Sequence, residues 1–279
     1  MITRLLFIGQ GRESDAMQTL KFDHNIEDLG DTHIYYGPED RDTDWILPEM
    51  EKQGIDTSRF TIHLDAGLRN KQDAHIIKDF YTYGGWVSQQ IIKLLAIDTC
   101  KAEQILVQDC DTYLLKEHNF FDSLSNPVPM VERNRNLHPH FYLFVEEILK
   151  IKRQTQDSFI TEFMPITKTS WNSLTKHIEN THGKYWLDAI FDTFERVAGL
   201  PRPIDDEQPI YDNGKTRLTR FSEYEILGNW QIYDNPNLVL KSQVRFNNDK
   251  VDLVADEKYN AYCIRPNYRL EQSKLGKHE

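Results

Sequence analysis

Ile105-Leu106-Val107-Gln108-Asp109-Cys110-Asp111-Thr112 runs from three consecutive apolar residues straight into two carboxylates one position apart. A short apolar run that stops at turn-forming residues reads as a strand buried inside a sheet. The segment before it, Gly84-Gly85-Trp86-Val87-Ser88-Gln89-Gln90-Ile91-Ile92-Lys93-Leu94-Leu95-Ala96-Ile97, sets apolar residues at helical spacing and predicts a helix over 86–97. Further upstream, 4–8 is an apolar run ending at Gly9-Gln10-Gly11, 33–36 is a second stopped by Gly37-Pro38, and 60–64 alternates before Asp65-Ala66-Gly67. Each reads as a strand meeting a loop. Strands and helices in alternation imply an α/β fold, with a mostly parallel sheet flanked by helices.

Beyond this half the pattern is less regular. Helices are expected over 141–152, 170–180 and 185–197, with another opening in 221–227, and strand-like runs fall at 129–132 and 238–240. Gly199-Leu200-Pro201-Arg202-Pro203 breaks the chain ahead of an acidic loop at Asp205-Asp206-Glu207, and the charged end, 272–279, is expected to fray. There are no repeats and no low-complexity segment.

The 279 residues are 39 % apolar and 11 % aromatic, enough for a real core, and the size fits one large α/β domain or a domain plus an appendage. With 33 Lys and Arg against 44 Asp and Glu, the formal charge is −11. That balance, without a basic stripe, argues against a general nucleic-acid binder, whose phosphate affinity rests on clustered cations. The longest apolar run near the start, Leu5-Leu6-Phe7-Ile8, is too short for a signal sequence or a membrane span. Cys100, Cys110 and Cys263 form no C-x-x-C and no zinc spacing, so free thiols and a cytoplasmic location are expected.

Asp109-x-Asp111 carries the chemistry. The carboxyl end of a parallel strand is where α/β sheets place ligands. Two carboxylates there can share a hard divalent ion with a diphosphate, because Mg²⁺ and Mn²⁺ prefer oxygen ligands and are commonly completed by phosphate oxygens. Such an ion offsets the charge that grows on a departing nucleoside diphosphate. The same residues also suit a plain turn in which Asp caps the backbone.

The helix–strand segment as a whole resembles the GT-A glycosyltransferases, in which a "W..QQ..KL" helix precedes a "yl.lDsDt"-like strand end. Downstream, Phe221-Ser222-Glu223-Tyr224-Glu225-Ile226-Leu227-Gly228-Asn229 is similar to the "SEYElYG" segment of a bacterial and viral branch, the DUF6492-type proteins. The resemblance covers roughly residues 1 to 235. It implies a single GT-A (Rossmann-like) domain over 1–279, with a nucleotide-sugar-binding half at 1–115. The acceptor-side half, 116–279, is more irregular and helical and includes a C-terminal extension. It further implies a glycosyltransferase, hexosyltransferase-like, dependent on Mn²⁺ or Mg²⁺, that moves sugar from a nucleotide-diphosphate donor to a carbohydrate or other hydroxyl acceptor.

Carried onto this chain, the resemblance makes Asp111 the principal metal ligand, in a turn expected to be exposed, and sets Asp109 against the donor's ribose or against the metal through water. Gln90 and Lys93, three apart, share a helical face, and Lys93 is placed to meet a phosphate or to order Asp109. An ordinary solvated helix face is the plain alternative for both. Gln10 and Gly11 follow the first strand, where such folds hold the nucleoside. Glu223 or Glu225 would be the catalytic carboxylate, either as general base or stabilising an oxocarbenium-like centre. Being two apart they do not share a face, so one of them is expected in the site, with Glu223 preferred; Ser222 suits a helix cap over Glu225. His138 and His140 fall where acceptor-side loops lie. The superfamily's late third metal ligand has no histidine to match it, since after His182 only His278 remains. Trp171, Tyr185, Trp186 and Trp230 suit either a sugar-stacking platform or the core.

Two other readings use the same residues. In a haloacid-dehalogenase-like phosphatase Asp109 would be the nucleophile, although that family places Thr or Val where this chain has Tyr113. A non-catalytic nucleotide- or sugar-binding protein would keep the site without turnover.

Overall fold

The computed structural model describes residues 1–9, 12–21, 23, 26–36, 43–64, 85–114, 117–132, 139–198, 211–212, 215–216, 221–247 and 261–265. The first half alternates as expected: β1 (Ile2–Ile8), α1 (Glu13–Leu20), β2 (Leu29–Tyr36), α2 (Ile46–Lys52), β3 (Phe60–Leu64), α3 (Gly85–Thr99) and β4 (Gln104–Asp109). Then follow β5 (Tyr113–Leu114), β6 (Met130–Val131), α4 (Pro139–Leu149), β7 (Phe163–Thr167), α5 (Lys168–His182) and α6 (Trp186–Ala198). The remaining described elements are β8 (Tyr211–Asp212), β9 (Lys215–Thr216), α7 (Glu223–Asp234), β10 (Lys241–Asn247) and β11 (Ala261–Arg265).

The central sheet has the order β3-β2-β1-β4-β7. β1 lies parallel to both β2 and β4, β2 is parallel to β3, and β7 closes the edge antiparallel to β4. A smaller sheet runs β5-β11-β10-β6, and β8 pairs with β9. Alternation along the strands divides the core. Leu5, Phe7, Ile105 and Val107 pack with α3 and the later helices, while Leu6, Ile8, Ile34 and Tyr36 pack with residues of α1 and α2. Among the described residues, no helix is long and apolar enough to cross a membrane.

Three differences from the sequence reading have physical causes. Residues 238–240 are not a strand. The chain turns as it leaves α7, with the Leu238 amide donating to the Asn235 carbonyl at 3.2 Å, and pairing begins only at Lys241. The helix expected over 141–152 stops at Leu149, where Lys150 takes a left-handed φ of 53°. Conversely, β7 escapes notice in sequence because Pro165 interrupts it; proline is tolerated at a sheet edge, where its missing N–H faces no partner, and β7 is such an edge. Trp171, Trp186 and Trp230 are 1 to 3 % exposed within the principal core and Tyr185 packs against it, so the aromatic set is core.

Candidate functional site

From β1 the chain turns to β2 and then β3 on one side, whereas β4 lies on the other side of β1. The carboxyl ends of β1 and β4 therefore flank a topological switch point, the crevice where open α/β sheets bind ligands. Asp109 is the last residue of β4 and pairs with Phe7 near the end of β1.

The turn beyond β4 is held from several sides. The Asp109 amide donates to the Glu162 carbonyl at 3.0 Å, Thr19 Oγ1 donates to the Cys110 carbonyl at 2.6 Å, and Gln108 Nε2 donates to the Thr112 carbonyl at 2.9 Å. Gln108 in turn accepts from fully buried Arg4, which is clamped by Asp23. Between the two carboxylates Cys110 points inward; burial, reinforced by Asp111 and Asp109, pushes its thiol well above the usual range. Cys110 is 4 % exposed and packs in the cluster with Leu6 and Ile8.

Lys93 of α3 is 1 % exposed and ion-paired with Asp109 on one side and, at 2.7 Å, with Glu223 Oε1 on the other. Its ammonium also lies 4.4 Å from the centre of the Tyr224 ring. Burial pulls the Lys93 pKa down, but the two carboxylates more than offset this and hold it above the ordinary value. Burial pushes the Glu223 pKa up against the pull of Lys93. Glu223 Oε2, fully buried, has no hydrogen-bond partner among the described residues.

Asp111 is held by a different cation. Arg12, the residue before α1, reaches Asp111 Oδ2 at 2.5 Å through Nη2 and Asp15 Oδ2 at 2.7 Å through Nε. Asp111 is 7 % exposed, so the exposed turn expected there is a buried one; the guanidinium makes that burial tolerable.

The remaining candidates divide. Gln90 and Lys93 are both buried, which excludes the solvated-face alternative for them. Glu225 faces away from Lys93: its carboxylate accepts from Ser158 Oγ at 2.9 Å, the Phe159 amide at 3.0 Å and Asn229 Nδ2 at 3.2 Å. Ser222 Oγ caps the helix by accepting from the Glu225 amide. Gln10, Gly11 and His138 lie outside the described residues; His140 belongs to α4, but its side chain is likewise outside them. Arg12, which sequence reasoning did not single out, carried only one signal: a basic residue directly after the glycine turn that ends the first strand.

Among the described residues no three His, Cys, Asp or Glu side chains converge as a metal cage. Asp109 and Asp111 nevertheless supply hard oxygens at the crevice, and one or two carboxylates completed by phosphate oxygens is the usual way Mg²⁺ is held. The pair fits a divalent ion that arrives with a diphosphate, and fits poorly an ion bound by the protein alone.

An α/β protein with a switch-point crevice, two adjacent carboxylates and a cation on each is the class that fold and site define. Within it, the chain belongs to the family of unknown function DUF6492, whose family model matches residues 51–256. A solved structure to which it is similar is mouse xyloside xylosyltransferase 1 in its apo form, with a TM-score of 0.44 and 10 % identity over 88 % of each chain. No curated protein matches it in sequence.

Proposed function

We propose that the chain is a metal-dependent glycosyltransferase that moves a sugar from a nucleotide-diphosphate donor to a hydroxyl acceptor. The observation that carries this reading is the placement of Asp109-x-Asp111 at the carboxyl end of β4, in the switch-point crevice and beside Lys93. The GT-A resemblance of the Trp86–Leu94 and Phe221–Asn229 motifs supports it.

In this reading Asp109 and Asp111 hold Mn²⁺ or Mg²⁺, which offsets the charge developing on the departing diphosphate. Lys93 fixes the Asp109 carboxylate and lowers the cost of the negative charge gathered there. Glu223 holds Lys93 through Oε1, and Oε2, which has no hydrogen-bond partner among the described residues, is the proposed proton acceptor; this role requires an acceptor hydroxyl to reach an oxygen that is buried in this structure. Glu225, committed to Ser158, Phe159 and Asn229, has a structural role instead.

The test is thermal stability with Mn²⁺ and, in turn, UDP, GDP, CDP and dTDP, followed by donor hydrolysis. One diphosphate is expected to raise the melting temperature selectively, because a ligand bound only by the folded state stabilises it by mass action. Asp111→Asn, which keeps the shape of this buried side chain, is expected to abolish that shift. No response to any diphosphate, together with hydrolysis of a simple phosphate ester, would favour the phosphatase. Glu223→Gln is expected to lower transfer more than donor binding; equal loss of both would assign Glu223 to holding Lys93 and not to proton transfer.

A further inference from the structure

The cations on the two crevice carboxylates are unlike each other. Lys93 is 1 % exposed and has Glu223 as a second anchor at 2.7 Å, so moving it would strand buried charges. Arg12 is 25 % exposed, stands directly before α1, and reaches Asp111 through Nη2. Its Nε contact to Asp15 is separate, so the Nη2 arm can exchange partners while the side chain stays anchored. A guanidinium matches phosphate oxygens as well as it matches a carboxylate, and it cannot give up its charge.

We propose that Arg12 is an exchangeable latch on Asp111. In the ligand-free protein it neutralises Asp111 and so opposes the divalent ion. When a diphosphate enters the crevice, Arg12 transfers its Nη2 arm to a phosphate oxygen and Asp111 becomes available to the metal. Metal and diphosphate then bind with positive coupling, each tightening the other by the same factor. This rests on the donor-site reading above and adds to it a residue and an order of events.

The experiment uses the full chain with Mn²⁺ alone, followed by loss of the free-ion paramagnetic resonance signal, and with preformed Mn²⁺–pyrophosphate, followed by the rise in melting temperature. The unaltered protein is expected to bind Mn²⁺ alone weakly and Mn²⁺–pyrophosphate well. Arg12→Gln is expected to bind Mn²⁺ alone several-fold more tightly and Mn²⁺–pyrophosphate on the order of tenfold more weakly, the usual size of such couplings. The gain for Mn²⁺ should disappear when Asp111→Asn is added, which locates it at that carboxylate. Arg12→Lys, which keeps the charge without the fork, should fall between and serves if Arg12→Gln does not fold. An Arg12→Gln protein that binds Mn²⁺ no more tightly, or keeps full affinity for Mn²⁺–pyrophosphate, overturns the latch and leaves the donor site standing. Silence of the unaltered protein towards both probes overturns the donor site and the latch together.

Discussion

Lys93 concentrates the electrostatics of the crevice because one fully buried ammonium serves carboxylates from β4 and from α7. Removing one member of a buried charge cluster costs about 3–5 kcal/mol, since the partners keep their desolvation penalty and lose their attraction. Lys93→Met is therefore expected to lower stability by about that amount in urea denaturation. Adding Glu223→Gln should recover part of the loss, because it removes one of the stranded charges; a double variant as unstable as the sum of the singles would show that the two do not interact. Sequence made Lys93, Asp109 and Glu223 visible as candidates through a helix spacing, a strand end and a helix start. It could not show that they meet, since Lys93 and Glu223 are 130 residues apart and no local pattern encodes that contact. Arg12 was less visible still, because nothing about an isolated basic residue after a glycine announces an acidic partner at Asp111, 99 positions away.

Helix α7 sends alternate residues of its first turn to opposite duties, Glu223 to Lys93 and Glu225 to the segment leading into β7. Burial pushes the Glu225 carboxyl from an ordinary 4.5 up to about 7, although donors from Ser158, Phe159 and Asn229 and the nearby Arg153 pull it down. The folded chain thus keeps a proton that the unfolded chain releases, and stability from this group is full below about pH 4.5 and lost as pH rises through about 7. The melting temperature of the unaltered protein is expected to fall relative to that of Glu225→Gln between pH 5 and 8, and parallel curves would contradict the assignment. The same helix packs so closely that a Cβ on Gly228 would lie 2.1 Å from Phe159 Cγ. Overpacking of this kind typically costs about 1–3 kcal/mol, so Gly228→Ala should shift the urea midpoint downward while far-ultraviolet dichroism stays helical. The opening of the helix was legible from Ser222 as cap. That both of its glutamates would be buried was not, because charge alone suggests a solvated face and only the tertiary partners reverse that.

At the scale of the whole molecule, the alternating first half was readable because each strand there is an apolar run closed by turn residues. The edge strand β7, broken by Pro165, and the small sheet built from two-residue β5 and β6 and the late strands β10 and β11 depend on pairing partners far away in sequence. The same distance has a consequence during synthesis. By the time 220 residues have been made, α3 and β4 are complete, yet Glu223 has not been added, and Lys93 has Asp109 as its only carboxylate among the two it will finally hold. Burying an incompletely paired ammonium is unfavourable, so a growing chain gains little by docking α3 firmly before α7 arrives. The strands of the central sheet all precede residue 168, so what waits for α7 is the burial of the Lys93 side of α3. A fragment ending at residue 220 is accordingly expected to exchange its α3 amides with solvent faster than the full chain does, and equal protection in the two would show that α3 docks without waiting for α7.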